Sequence, residues 1–266
     1  MKLATWNVNS LGVRLPQVLD WLRAQHEAES PVDVLALQEL KLPDEKFPHA
    51  AFEEAGYHAL CFGQKTYNGV ALLARQARGA WSAVQRNLPG LADDQARLLA
   101  ADLPYADGTL RVIGAYFPNG QAPGSEKFEY KLTWLRALRD WLREELARSP
   151  RLVLMGDFNI TRDDDDVWDP EGMRGQIHCT DEERHHLQAL LNLGLHDGLR
   201  LFDPTPKSYT WWDYRELGFR RNRGLRIDHI YVSDALRPQT RGCGVDRAPR
   251  RNERPSDHTP VWLTLA

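Results

Sequence analysis

A chain of 266 residues with 42% hydrophobic content has enough apolar mass for a substantial core, which excludes disorder. The start, MKLATWNVNS, has no apolar leader-like region, no run approaches the roughly 18 residues of a membrane span, and Cys61, Cys179 and Cys243 are too few and scattered for a disulfide framework. A soluble, unexported cytoplasmic protein with no membrane role is expected; its net charge of −3 argues against nucleic acid, yet eleven arginines face five acids between residues 215 and 254, a local basic surface.

In chain order, LATWNVN reads as a strand and RLPQVLDWLRAQHEAE as an amphipathic helix. DVLALQEL, GVALLAR and RVIGAYF follow as strands, and SEKFEYKLTWLRALRDWLREELARS as a long helix. RLVLMGDFNI is another buried strand. The second half holds a loop with the DDDD run at 163–166, a helix around EERHHLQALLNLG, the aromatic segment SYTWWDYR, and strands RIDHIYVS and TPVWLTL. With no linker, low-complexity tract or repeat, the alternation predicts one α/β domain over residues 1–266. Connections such as 161–180 and 203–225 are long enough to expect function from them.

Several apolar strands end in Asp, Glu or Asn. Residues two apart on a strand share a face, which groups Asn7 with Asn9 in TWNVN and Asp157 with Asn159 in GDFNI. Glu39 ends LALQEL, and Asp228 sits inside RIDHI. Each alone has an ordinary explanation as a cap or solvated strand end. Together with a histidine they form a hard, oxygen-rich set suited to Mg²⁺ or Mn²⁺ rather than Zn²⁺. No nucleophile elbow, Walker A loop or dinucleotide fingerprint is present. His178, Cys179, His185 and His186 lack zinc-site spacing, and DDDD, without the glycine and glutamate of a calcium loop, reads as a solvated turn.

The ordered motifs WNVNSL, LQELK, GQKTYNGVALL, AYFPNG, MGDFNI, YTWWDYR, GLRIDHI and PSDHTPVW span essentially the whole chain. In them the chain resembles the exonuclease III family of Mg²⁺-dependent DNA repair nucleases, within the endonuclease/exonuclease/phosphatase superfamily. The resemblance implies a four-layered αββα sandwich of two packed mixed β-sheets flanked by helices. It implies Glu39 as the main Mg²⁺ ligand (Mn²⁺ able to substitute), with Asn9, Asn7 and Asp257 around the metal. Asp157 and Asn159 are expected to orient and deprotonate the attacking water, Asp228 to hold His258 toward the scissile phosphate, and Tyr116 to contact the phosphate or leaving oxygen. Trp211 would pack on the sugar, and Asn119, Arg223 and Arg226 would line the substrate groove. On an extended chain Asp257 and His258 face opposite ways, so they are expected to make separate contributions rather than a couple.

The implied activity is phosphoester hydrolysis at 3′ ends of duplex DNA, damaged or recessed, by a monomer (3′-5′ exonuclease, 3′-phosphatase and 3′-phosphodiesterase), with abasic-site incision as a second activity that His178 puts in question. His178 departs from the small residue of family members that cut at abasic sites; an imidazole there would exclude an extruded deoxyribose while admitting a strand end. Two other functions share the scaffold: hydrolysis of small phosphoesters, and nucleic-acid binding without catalysis.

Overall fold

The computed structural model describes residues 1–266. In chain order the elements are β1 (Lys2–Asn7), α1 (Leu11–Glu27), β2 (Val34–Gln38), α2 (His49–Glu54), β3 (Tyr57–Phe62), β4 (Val70–Arg75), β5 (Ser82–Arg86), β6 (Leu98–Tyr105) and β7 (Gly108–Tyr116). They continue with α3 (Glu126–Arg148), β8 (Leu152–Asp157), α4 (Asp181–Leu191), β9 (Leu195–Asp197), β10 (Trp211–Trp212), β11 (Gly224–Leu225), β12 (Asp228–Ser233), β13 (Thr240–Val245) and β14 (Val261–Leu265).

Two six-stranded sheets form, ordered β13-β14-β1-β2-β4-β3 and β5-β6-β7-β8-β12-β9, while β10 and β11 make a separate two-stranded pair. Each large sheet is mixed: β1–β2 and β7–β8 are parallel, the rest antiparallel. Strand alternation sets the layers. Leu3, Ala36, Leu72, Val112, Met155 and Ile230 pack between the sheets. Ala4, Trp6, Leu35 and Leu73 turn outward under Val18, Trp21 and Leu22 of α1 and Phe52 of α2. Ile113, Leu152 and Leu154 meet the stripe Phe128, Leu132, Leu135, Leu138 and Leu142 of α3, with Leu187 and Leu190 of α4. The expected αββα sandwich is the observed one.

Two glycines permit the close approach of backbone and sheets. A Cβ on Gly114 would stand 2.8 Å from Leu72 Cδ2 and 3.2 Å from Ala36 Cβ across the sheet interface. At Gly156, with φ of +152°, it would fall 1.8 Å from the Ala115 carbonyl. Elsewhere tertiary bonds move a boundary: the first helix starts at Leu11 rather than Arg14, because Ser10 and Leu11 donate their backbone N–H groups to the Glu39 and Leu40 carbonyls. Pro16 consequently lies inside it.

Two sequence expectations fail here. The DDDD run is not simply solvated: Asp163 caps a 3-10 turn over Asp164–Asp166, and Asp166 is fully buried. Arg226 does not line a groove. Its side chain is buried, donating from Nε to Asp166 Oδ1 at 2.6 Å and from Nη1 and Nη2 to the two Asp197 oxygens at 3.0 and 2.7 Å. Burial would raise the Asp197 carboxyl, but Arg226 outweighs it and holds the group well below the usual range. Removing the guanidinium would leave buried Asp197 with only Arg162 at 3.6 Å, and buried Asp166 with Arg200 as its remaining ion pair. Arg226→Met is therefore expected to cost about 3 to 5 kcal/mol in denaturant unfolding. Unchanged stability would return Arg226 to the surface role.

Candidate active site

Strand termini at one end of the sandwich bring inward-facing side chains to a common point. β1, β7 and β8 end there with Asn7, Tyr116 and Asp157, β12 runs the other way and starts there with Asp228, and strand register sets Asp157 opposite both Asp228 and Tyr116. Apolar neighbours on the same faces fill the core below, so the polar ends gather where packing stops.

The amide pairs meet by a route other than strand alternation. β1 stops at Asn7, and Asn9 turns back with φ of +45°, donating its N–H to Asn7 Oδ1 at 3.0 Å. β8 stops at Asp157, and Asn159, φ +51°, donates its N–H to Asp157 Oδ1 at 2.9 Å. Glu39, the first residue after β2, is also left-handed, with φ of +51°. Three left-handed residues at the ends of three strands thus turn the chain around one site.

Asn7 Nδ2 donates at 2.9 Å to both Glu39 Oε1 and Asp157 Oδ2, tying the sheets together through two carboxylates. One ligand atom each from Glu39, Asp157 and His258 lies within 4.8 Å of the others. His258 Nδ1 is 2.8 Å from Asp228 Oδ2, which also accepts from Thr210 Oγ1 at 2.7 Å. His258 Nε2 lies 3.7 Å from Asp157 Oδ2. Burial favours the neutral ring, but the charge of Asp228, then that of Asp157, outweighs it and raises His258 to about 10. Asp157 moves up chiefly through burial, with His258 opposing. Burial, then the charges of Glu39 and Asp157, push the Tyr116 phenol well above its usual range, so it keeps its proton.

Of the four residues expected around a metal, Glu39 is one of the three converging acidic and imidazole groups, and Asn7 is hydrogen-bonded to two of them. Asn7 turns its N–H groups, not its oxygen, toward the carboxylates. Asn9 Oδ1 accepts from Lys41 Nζ at 2.6 Å, and its Nδ2 donates to Asp257 Oδ1 at 2.9 Å. Asp257 Oδ2 accepts from Trp211 Nε1 at 2.9 Å. Asp257 therefore ties Asn9 to Trp211, while His258 turns to Asp228: the adjacent residues do separate. Asn119 Nδ2 approaches Asn159 Oδ1 at 3.3 Å, and the Arg223 guanidinium lies 4.9 Å over the Trp168 ring. His178 is buried, with φ of +71° and Nδ1 2.6 Å from the Asn159 carbonyl. Burial, then Lys131, lowers its pKa to about 4, so the ring is neutral and that bond is an Nδ1–H donation.

Sequence reasoning missed several supports. Lys41 stands 3.1 Å from Glu39 Oε2. Arg97 lies 5.2 Å over the Tyr116 ring. Lys131, fully buried, donates to the carbonyls of Asn119 and Asn159 at 3.1 and 2.8 Å and pairs with buried Glu183. A lysine inside the apolar stripe of α3, and the capping-box pattern from Thr180 to Glu183, were the signals available.

Comparison with known proteins decides the family, since the endonuclease/exonuclease/phosphatase family model matches residues 4–258. The chain belongs to that family. It is 39% identical to exodeoxyribonuclease III of Haemophilus influenzae, with 98% of each chain covered. The solved 3′ phosphatase NExo from Neisseria, bound to product DNA hairpin, is 47% identical with a TM-score of 0.93, covering 100% of this chain and 99% of that one. An AP endonuclease from Archaeoglobus fulgidus is 34% identical with a TM-score of 0.91 over 100% and 99%. The protein is an exodeoxyribonuclease III-like hydrolase of a divalent-metal-dependent nuclease family.

The donor chemistry suits such a cation. Glu39 and Asp157 bring two hard carboxylates to one amide, a crowding of like charge that a divalent ion relieves. The Lys41 ammonium beside Glu39 shows positive charge already stabilised there.

Proposed function

We propose that the protein is a Mg²⁺-dependent DNA repair nuclease that acts as a monomer on damaged or recessed 3′ ends of duplex DNA, with Mn²⁺ able to replace Mg²⁺. The carrying observation is the convergence of Glu39, Asp157 and His258 within 4.8 Å at the sandwich end. The kinship with a 3′ phosphatase seen with a DNA hairpin supports the substrate.

Phosphoester hydrolysis needs on the order of 20 kcal/mol of barrier removed, mainly by neutralising charge on the phosphoryl oxygens. Glu39, with Asp157 beside it, would hold Mg²⁺, which supplies Lewis-acid charge neutralisation. The remaining work belongs to the side chains. Asp157, oriented by Asn7 and the Asn159 N–H, accepts the proton of the attacking water as oxygen bonds to phosphorus. His258, anchored by Asp228, offers its Nε2–H to a phosphoryl oxygen. Protonated Tyr116 donates toward the phosphate or the leaving 3′ oxygen as the P–O bond breaks, and Trp211, held by Asp257, walls the sugar. On a nicked duplex ending in 3′-phosphate, conversion to 3′-hydroxyl should require Mg²⁺ and stop with EDTA. No metal-dependent conversion would end this reading, and faster turnover of small phosphoesters than of duplex would move the substrate.

His178 places a neutral ring against the Asn159 loop, where an extruded sugar would need room. Because its φ is +71°, glycine fits the backbone without strain. His178→Gly is expected to raise abasic-site incision relative to 3′-phosphate removal by about 10-fold, the scale of a steric specificity change. An unchanged ratio would leave the ring a structural role only.

A further inference from the structure

The buried face of α3 is apolar at Phe128, Leu132 and Leu135 yet carries an ammonium at Lys131, which is fully buried. A cation is costly to desolvate unless each N–H finds an acceptor. All three do here, and each acceptor comes from a different segment beside the candidate active site. They are the Asn119 carbonyl after β7 at 3.1 Å, the Asn159 carbonyl after β8 at 2.8 Å, and Glu183 Oε1 in the first turn of α4. Glu183 extends the tie, since Oε1 also accepts the His178 N–H at 3.2 Å and Oε2 accepts the Thr180 hydroxyl at 2.8 Å. The lysine stem also supports the Asn119 loop directly: a Cβ on Gly120 would stand 3.0 Å from Lys131 Cδ.

The Asn159 carbonyl is the informative acceptor. Asn159 is left-handed, and its own N–H is the donor that aims Asp157 Oδ1. A residue in that backbone state persists where its surroundings hold it, and the carbonyl, on the far side of the residue from the N–H, is the handle. Across the two loops that Lys131 joins, Asn119 Nδ2 approaches Asn159 Oδ1 at 3.3 Å. Resting on the nuclease reading above, we propose that Lys131 is a positioning residue for hydrolysis. It acts through the turn rather than on the reacting atoms. By drawing the Asn119 and Asn159 carbonyls to one ammonium, it holds the Asn159 N–H, and with it the Asp157 carboxylate, at the angle that proton abstraction needs. Lysine suits this task because its three donors diverge from one atom toward three segments, whereas a guanidinium keeps its donors in one plane.

The test uses Mg²⁺ and a nicked duplex ending in 3′-phosphate. Lys131→Met, combined with Glu183→Gln so that no buried carboxylate is left unpaired, should lower kcat by roughly 30-fold, short of the roughly 100-fold of a group displaced by about 1 Å. KM should stay within about three-fold, because the lysine serves the chemical step. Glu183→Gln alone keeps both carbonyl bonds and should hold kcat within about three-fold. The deciding measurement repeats the combined change in the Asp157→Asn protein. There it should lower the residual kcat by less than about three-fold, since effects passed through one group do not multiply. Unchanged kcat, a loss confined to KM, an equal loss in Glu183→Gln alone, or a full repeat of the loss in the Asp157→Asn protein would each overturn the positioning role. If the combined variant does not fold, Lys131→Gln takes its place in the same comparison. Failure of the unmodified protein to remove the 3′-phosphate would instead overturn the nuclease reading itself.

Discussion

Asp157→Asn is expected to lower turnover by about three orders of magnitude, within the range of general-base catalysis, while duplex binding stays within about two-fold. The side chain is buried at 1% exposure, between Asn7 Nδ2 and the Asn159 N–H at 2.9 Å each. An amide of the same shape fits that space, and its NH₂ forfeits one of these two hydrogen bonds, a cost of about 1 to 3 kcal/mol that the fold can absorb. What disappears is proton affinity. Burial raises the carboxyl and His258 opposes it, a balance that suits a group taking a proton near neutral pH. Duplex affinity should persist because the arginines between residues 215 and 254 lie outside this pocket, and Arg220, Arg221, Arg247, Arg251 and Arg254 have no carboxylate partner. Glu39→Gln makes the comparison: it should raise the Mg²⁺ concentration needed for half-maximal rate, whereas excess Mg²⁺ should not restore Asp157→Asn. Near-normal turnover in Asp157→Asn would place the base elsewhere.

The layers and the polar strand ends were legible in the sequence for one physical reason: a period of two, with apolar residues inward, leaves the last inward position of each strand as the natural place for polarity. Asn7 and Asp157 were found that way, whereas Asp228 opens β12, which runs antiparallel to β8, and so marks the start of its strand rather than its end. The separation of Asp257 from His258 follows from the same alternation. How the amides reach one another was not legible, because the left-handed turns at Asn9, Glu39 and Asn159 are backbone states that ordinary residues seldom adopt. Arg226 was misread for a different reason. Composition counts it with the exposed arginines around it, and its partners Asp166 and Asp197 come from distant stretches that only the fold assembles. Lys131 shows the reverse: its place in the stripe of α3 was a signal, but its target, two loop carbonyls and Glu183, is a tertiary fact.

Asp228→Asn is expected to be the most damaging change that touches neither water nor metal. The reason lies in the imidazole tautomer. Asp228 accepts from His258 Nδ1–H, so a neutral ring would carry a lone pair on Nε2 and could not donate to a phosphoryl oxygen. Only the imidazolium donates from both nitrogens. Its pKa of about 10 keeps it charged across neutral pH, against burial, through Asp228 first and Asp157 second. Because the folded value lies above the ordinary one near 6.5, the pair's stabilisation is complete below about pH 6.5 and is lost as pH rises toward 10. In metal-free protein, unfolding free energy should fall across that window, and the variant should flatten the fall while losing about 3 to 5 kcal/mol at neutral pH. Ring-proton NMR should show the His258 midpoint dropping toward about 6.5, and turnover at pH 8 should decline on the order of 100-fold or more as the donor is lost. If the unmodified ring is already neutral at pH 8 in metal-free protein, His258 does not donate as an imidazolium, and Asp228 serves packing rather than charge.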